Sequence, residues 1–332
     1  MRIAVLFSPG AGNRADFGRI GAALAARFKG AGFYAASGPW GLQYIPGALR
    51  IEADPEGDYK LALYGTIKRL LENGADMLVC VGGDGLASYA AEGLIRSGRR
   101  IPLLGIAAGT ANVGPIVSGW TPLMDEGPFK LEYRKIGAIE VSIGGKHSAY
   151  AFNDAVIATT FLGTVDGRTE NLSVRAMALH GQILAEEPDP NIAGNSFSIE
   201  KNGKSIPRHI ERPSQIVVSP AWPNEFYGRA VSGVLCETPY SPLRGIVALL
   251  DSVLIRPEAA AEGKESFSRV DHLLFGPGDR IRIQGLSAAA EVVIDGNPFV
   301  RQSADSVDFA YIPSLVQTVR VITAGHEKLE DQ

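Results

Sequence analysis

Residues 77–94 read MLVCVGGDGLASYAAEGL. Met77–Val81 is apolar at every position, so a strand there would be buried on both faces. It breaks into Gly82-Gly83-Asp84-Gly85, and from Leu86 to Arg96 an Ala-rich helical pattern follows. A strand apolar on both sides, followed at once by a helix, belongs in a parallel sheet covered on both faces. Two readings fit the glycines. They form a tight turn, since Gly and Asp tolerate left-handed backbone. Alternatively, they let backbone N–H groups approach phosphate oxygens at a helix start, where the helix dipole favours negative charge. In the second reading Asp84 turns away from the phosphates, toward a substrate hydroxyl that it orients or deprotonates.

The same grammar recurs on either side. Ile3–Phe7 is an apolar strand that ends in Ser8-Pro9-Gly10-Ala11-Gly12-Asn13, and Asp16–Phe28 has helical spacing with Phe17, Ile20, Leu24 and Phe28 on one face. Tyr59–Glu72 reads as an amphipathic helix through Leu61, Tyr64, Ile67 and Leu71. Ile101–Ile106 is a further apolar strand, ending in Ala107-Ala108-Gly109-Thr110-Ala111-Asn112. Residues 31–57, with Pro39, Pro46 and Pro55, read as irregular. Three unusual loops therefore each follow a strand. In an open parallel sheet, ligands bind at the carboxyl ends of the strands.

Beyond about residue 130 the texture changes. Short runs rich in Val, Ile and aromatics (138–143, 148–157, 196–200, 215–219, 230–235, 280–284, 291–295 and 307–312) are separated by Gly144-Gly145, Asn202-Gly203 and Asp295-Gly296, which is hairpin chemistry. Helices are expected at Leu172–Glu186 and Pro242–Val253. The expectation is an α/β domain over 1–130 with a Rossmann-like parallel sheet, and a β-rich domain over 131–332 with a frayed tail at 327–332.

Composition narrows the function. The 332 residues are 45% hydrophobic and 20% charged, with a formal net charge of −4 and no basic stripe, so no nucleic-acid partner is expected. No apolar segment is long enough to span a bilayer, and no basic amphipathic helix marks a membrane surface. The apolar run at the N-terminus is too short for a signal-peptide core. The two cysteines, Cys80 and Cys236, lie in apolar stretches and read as buried and reduced, which fits a cytoplasmic protein. The five histidines show no metal-ligand spacing.

VGGDG after a strand, LGIAAGTANVG after the next, and AFNDAVI early in the second domain together resemble the ATP-NAD kinase family. IPLLGIAAGTANVGPIVSGWTP and the opening LFSPGAGN look closest to its acetoin-catabolism protein X branch, and diacylglycerol and sphingosine kinases share the superfamily. The resemblance covers roughly residues 1–160 and, more loosely, 215–320. It implies an NAD kinase/diacylglycerol kinase-like fold, Mg2+ and ATP as cofactors, and self-association into homo-oligomers. It makes Asp84 catalytic and gives nucleotide or phosphate contacts to Gly82, Gly83, Gly85, Gly109, Thr110 and Asn112. Contacts to the ribose or base fall on Asn153 and Asp154. The implied activity is transfer of the γ-phosphoryl of Mg-ATP to a hydroxyl of a small molecule, with NAD, giving NADP, as first candidate. A lipid or other small-molecule kinase, and a nucleotide-binding regulator without chemistry, are the alternatives. An apolar lining near Phe161, Trp222 and Phe226 would favour a lipid.

The pattern departs from the family in two places. Leu86 stands where members carry Thr after Gly-Gly-Asp-Gly, so a hydroxyl for phosphate or for capping is missing. Val217–Gly233 keeps little of the Thr-Gly-Ser-Thr-Ala-Tyr segment of NAD kinases. Other positions keep two readings. Gly109–Asn112 is a loop whose polar groups satisfy backbone, or a ligand loop. Asn153-Asp154 interrupts an apolar strand and needs either a structural network or a ligand. Asp295-Gly296-Asn297 is a plain hairpin turn or the late Asp-Gly of the superfamily. Arg14 is a phosphate partner or a solvated side chain.

Overall fold

The computed structural model describes residues 1–12, 14–109, 112, 114–119, 121–124, 127–165, 168–221, 244–253, 269–302 and 305–323. Two compact units divide it. The first holds Met1–Ile136 and the stretch from Ser314 onward, and the second lies within Gly137–Pro313.

In the first unit β1 (Arg2–Phe7), α1 (Phe17–Arg27), β2 (Gly32–Ala36), β3 (Leu49–Ile51), α2 (Tyr59–Glu72), β4 (Met77–Gly82), α3 (Asp84–Ser97) and β5 (Leu103–Ala107) alternate as the apolar pattern predicts. The short β6 (Val117–Ser118) and α4 (Thr121–Met124) follow. The strands are parallel in the order β3-β2-β1-β4-β5. The chain therefore winds outward from β1 through β2 to β3, then returns to place β4 on the other side of β1. That reversal puts the loops after β1 and β4 side by side at a topological switch point, where the crevice of such a sheet opens. Every residue of β4 is buried, and Phe17, Ile20 and Leu24 of α1 join Ile3, Val5, Val79 and Val81 in one core. Helix α2 starts on Asp58, whose side chain accepts the Leu61 N–H at 2.9 Å. Its buried stripe is Leu63, Ile67 and Leu70, whereas Leu61 is exposed. Residues 31–57, read from sequence as irregular, contain β2 and β3; prolines outside the strands hid two short parallel strands.

Strand β7 (Phe129–Ile143) enters the second unit, followed by β8 (Lys146–Ala151), β9 (Ala155–Ala158), β10 (Thr160–Val165), β11 (Arg168–Ser173) and α5 (Val174–His180). Then come β12 (Ala193–Lys201), β13 (Lys204–Ser205), β14 (Gln215–Ala221), β15 (Arg244–Leu250), β16 (Val270–Phe275), β17 (Arg280–Leu286), β18 (Glu291–Ile294), β19 (Asn297–Phe299) and β20 (Val307–Thr323). One antiparallel sheet has the order β16-β15-β14-β9-β18-β19. A second antiparallel group runs β13-β12-β17 to the first part of β20, with β7 on β20 and β8 on β7. Their inner faces share one core, including Ile139, Ile157, Val218, Val247, Ile283 and Phe309. From Ser314, which has a left-handed φ of 52°, β20 belongs to the first unit, where Thr318 pairs in parallel with Leu103 of β5.

The three turn dipeptides of the sequence are tight hairpin turns. Gly144-Gly145, Asn202-Gly203 and Asp295-Gly296 all have positive φ at both positions, and each joins strands in direct register. Two helix expectations are corrected. Within 242–253 the described residues form β15, because Ile246 to Leu250 are buried on both faces and a fully buried run has no period that separates helix from strand. The helix expected over 172–186 is only Val174–His180. Gly181 ends it with φ 63°, and the chain returns as an extended segment whose Ala185 bridges Leu172 of β11. Strand 148–157 is broken at 152–154, which separates β8 from β9. Among the described residues no helix is long and apolar enough to cross a membrane.

Candidate functional site

In the first unit the ends of β1, β4 and β5 lie in consecutive register. The Ser8 N–H donates to Val81 O at 2.8 Å, and the Ala108 N–H to Gly82 O at 2.9 Å. The three loops noted in the sequence thus leave the sheet from adjacent strand ends. Their close approach explains the glycines. A Cβ on Gly82 would stand 2.9 Å from both Ser8 Cβ and Leu86 Cδ2. A Cβ on Gly109 would lie 2.6 Å from Gly83 Cα, inside contact distance. Gly83, in extended backbone at φ −100°, caps α3 without a side chain, so Asp84 opens the helix at the positive end of its dipole.

Asp84 and Asn112 both hold the second loop. Asp84 Oδ1 accepts the Gly114 N–H at 3.1 Å. Asn112 grips Gly109 at both ends: its Oδ1 accepts the Gly109 N–H at 3.1 Å and its Nδ2 donates to Gly109 O at 2.8 Å. Leu86, where the family pattern has Thr, is 5% exposed and packs over Gly82, so this position supplies packing instead of a hydroxyl. Arg14 donates from Nη1 to Pro9 O at 3.2 Å within its own loop. Cys80, one residue from this corner, is buried, and burial pushes its thiol up to about 12. Gly82, Gly83, Asp84, Gly85, Gly109 and Asn112 are brought together in this unit. Thr110 lies outside the described residues.

A second polar corner stands in the other unit. Residues 152–154 separate β8 from β9, and β9 is the strand between β14 and β18. Asn153 Nδ2 donates to Asp154 Oδ2 at 3.2 Å, and the Ser219 hydroxyl donates to Asn153 O at 2.6 Å. Asp154 is 7% exposed. The carboxylate of Asp295 accepts three backbone N–H groups: Phe152 at 2.8 Å, Asn153 at 2.8 Å and Asp154 at 3.0 Å. The Asp295 N–H returns a bond to Asp154 O at 2.9 Å. Sequence reading named Asn153 and Asp154 and left Asp295 between a turn and a motif. Its turn is present, and its carboxylate does more than the turn needs. Ser219 was missed, for no local pattern points from it to Asn153. Of the three side chains expected to line an acceptor pocket, Phe161 lies in β10, and Trp222 and Phe226 lie outside the described residues, as does Cys236.

Residues 56–136 match the family of the diacylglycerol kinase catalytic domain. That span takes in α2, β4, Gly82–Gly85, α3, β5 and the Gly109–Gly114 loop. Over that span the chain is similar to the diacylglycerol kinase catalytic domain. Both glycine loops just described fall inside the matched residues. An uncharacterized protein of Archaeoglobus fulgidus is 25% identical over 231 residues, 69% of this chain and 70% of its own. Among solved structures, yeast NADH kinase complexed with NADH superposes with a TM-score of 0.54 at 13% identity, over 99% of this chain and 85% of its own. A diacylglycerol kinase of Bacillus anthracis str. Sterne gives 0.50 at 14% identity over 96% of both chains. At such identities these two structures carry the fold, an α/β sheet unit with a β-rich second unit.

A kinase that acts with a nucleotide needs a place for the metal that accompanies it. Among the described residues no three His, Cys, Asp or Glu side chains converge as ligands. Magnesium brought in with a nucleotide is held by the phosphates and one or two carboxylates, and keeps several waters. Asp84 is the carboxylate at this corner, so the donor set fits that kind of ion.

Proposed function

We propose that this chain is a phosphotransferase that moves the γ-phosphoryl group of Mg-ATP to a hydroxyl of a small molecule, with the 2′-hydroxyl of the adenosine ribose of NAD as the first acceptor to test. The observation that carries the reading is the pair of glycine loops, Gly82–Gly85 and Gly109–Gly114, packed backbone to backbone at the carboxyl ends of β4 and β5. Phosphoryl transfer asks a protein chiefly for positioning and charge stabilisation. Side chains at Gly82, Gly83 or Gly109 would keep phosphates off the backbone, and the start of α3 adds a favourable dipole. In this reading Asp84 plays two parts. It fixes Gly114, and so the second loop, and it orients the acceptor hydroxyl and takes its proton as the new O–P bond forms and the bond from the γ-phosphorus to the bridging oxygen breaks, releasing ADP. Bound magnesium would supply charge neutralisation on the phosphates. Asn153 and Asp154 offer an amide and a carboxylate to a ribose or base.

A lipid acceptor is the second reading. It is favoured by the match of residues 56–136 to the diacylglycerol kinase catalytic domain. The deciding experiment follows label from γ-labelled ATP, with magnesium, into NAD, NADH, diacylglycerol and a soluble metabolite extract, with Asp84→Asn as control. Asn at this position can still accept the Gly114 N–H, so the variant keeps its fold and loses about a hundredfold or more in turnover. Label in NAD that disappears in the variant supports an NAD kinase, and label only in the lipid replaces the acceptor. Near-normal turnover in the variant removes Asp84 from the chemistry. Binding of ATP without transfer to any acceptor leaves the regulator.

A further inference from the structure

The turn at Asp295-Gly296 is overqualified. Joining β18 to β19 asks only for two residues that accept left-handed backbone, and Asp295 and Gly296, at φ 46° and 78°, meet that need. Asn-Gly meets it at least as well. Yet Asp295 is 4% exposed and turns its carboxylate inward, across to the chain 143 residues earlier, where it accepts three successive backbone N–H groups. A carboxylate is the side chain for this task, being acceptor-only with room for several donors, and charge-assisted bonds of this kind are the stronger class. Three successive N–H groups converging on one anion fix the backbone of 152–154. With the Ser219 hydroxyl on Asn153 O, they fix where the Asn153 and Asp154 side chains start.

We propose that Asp295 is a positioning residue: its carboxylate holds the 152–154 corner in the conformation that presents Asn153 and Asp154 to the ligand. This rests on the reading of those two residues as ligand contacts. The discriminating variant is Asp295→Asn. It preserves the hairpin turn but sets an amide NH2 or a single acceptor oxygen where two carboxylate oxygens had served three donors. If the residue served only the turn, this change would be neutral.

Two readouts are taken on the full chain. Hydrogen exchange of the peptide spanning 152–154 reports the anchoring. Steady-state phosphoryl transfer, at a temperature where the variant is fully folded, reports its use. The expected result is faster exchange at 152–154 with β14 and β15 still protected, and a fall of about tenfold or more in kcat/KM. After Asp295→Asn, a further Asn153→Ala change should cost little, because both act on one contact. Unchanged exchange would overturn the anchoring. Faster exchange with unchanged kcat/KM, or full additivity with Asn153→Ala, would overturn the positioning role. If Asp295→Asn failed to fold, Ser219→Ala, which removes the bond to Asn153 O together with a longer local one to Pro220 O, would be read by the same pair of measurements. A wild-type chain that transfers no phosphoryl group would defeat the kinase reading and the positioning role with it, leaving the exchange result to decide the anchoring alone.

Discussion

Gly109 is held to glycine by its neighbour, not by its own backbone angle. The Cα of Gly83 occupies the space where a Cβ would go, at 2.6 Å, and that atom belongs to backbone that cannot swing aside. Gly109→Ala should therefore push the second loop away from the first. The expected cost is ~1–3 kcal/mol of stability from overpacking, read by denaturant titration. A fall in kcat/KM for ATP should exceed what that loss of stability explains. Retained kcat/KM in a folded Gly109→Ala protein would mean that phosphates do not use the contact between the loops. At this scale the sequence was partly legible. Gly82–Gly85 after an apolar run could be read because strand, glycine and helix are contiguous. Asn112 could be read as polar and loop-bound, but its hold on Gly109 shows only in three dimensions. The carboxylate of Asp295 was illegible beyond its turn, since its three partners lie more than 140 residues away.

The hairpin between β12 and β13 offers a prediction among the elements. Asp279, before β17, accepts the Gly276 N–H at 2.8 Å, the Lys201 ammonium at 2.9 Å and the Asn202 side-chain amide at 2.8 Å. Those bonds, the backbone donor first, hold its carboxyl down to about 2, against 3.8 for an ordinary aspartate. A carboxyl with a depressed folded value binds fewer protons when folded than when unfolded, so stability rises with pH across that window. The contribution is complete above about pH 4, is lost as pH falls through 3.8 toward 2, and amounts to ~1–2 kcal/mol. Asp279→Asn should flatten the urea midpoint between pH 4 and pH 2 relative to the wild type. An unchanged slope would mean that the three bonds do not favour the charged form. Element type was legible where period and punctuation agreed. Helix α2 runs over the residues expected, and all three turn dipeptides turn. It failed at β15, where each of Gly245 to Leu250 is buried and the period vanishes, and at α5, which Gly181 ends after two turns.

For the whole molecule the informative strand is β20. Its first half pairs with β17 in the β-rich unit, and its second half lies beside β5 and sends Val319 and Val321 into the core that holds Ile3 and Val79. Composition and pattern predicted a parallel sheet early and an antiparallel region late, but nothing local marks residues 314–323 as belonging with the first hundred. Ending the chain after Pro313 should therefore damage the N-terminal unit, which is intact in sequence. The expected outcome is a large fall in thermal midpoint, with lost exchange protection in β5 and β4. Unchanged protection there would make the last strand dispensable. The same arrangement bears on how the protein is made. A ribosome adds about 5–20 residues per second and delivers the N-terminus first. The glycine loops and their sheet thus emerge early, and β6 can pair with Gly105 and Ile106 soon after, yet Thr318, the partner of Leu103 on that edge, is made only after the whole β-rich unit. Until then part of the β5 edge of the nascent first unit stays open and apolar, the kind of surface that chaperones cover and that pairs wrongly when left alone.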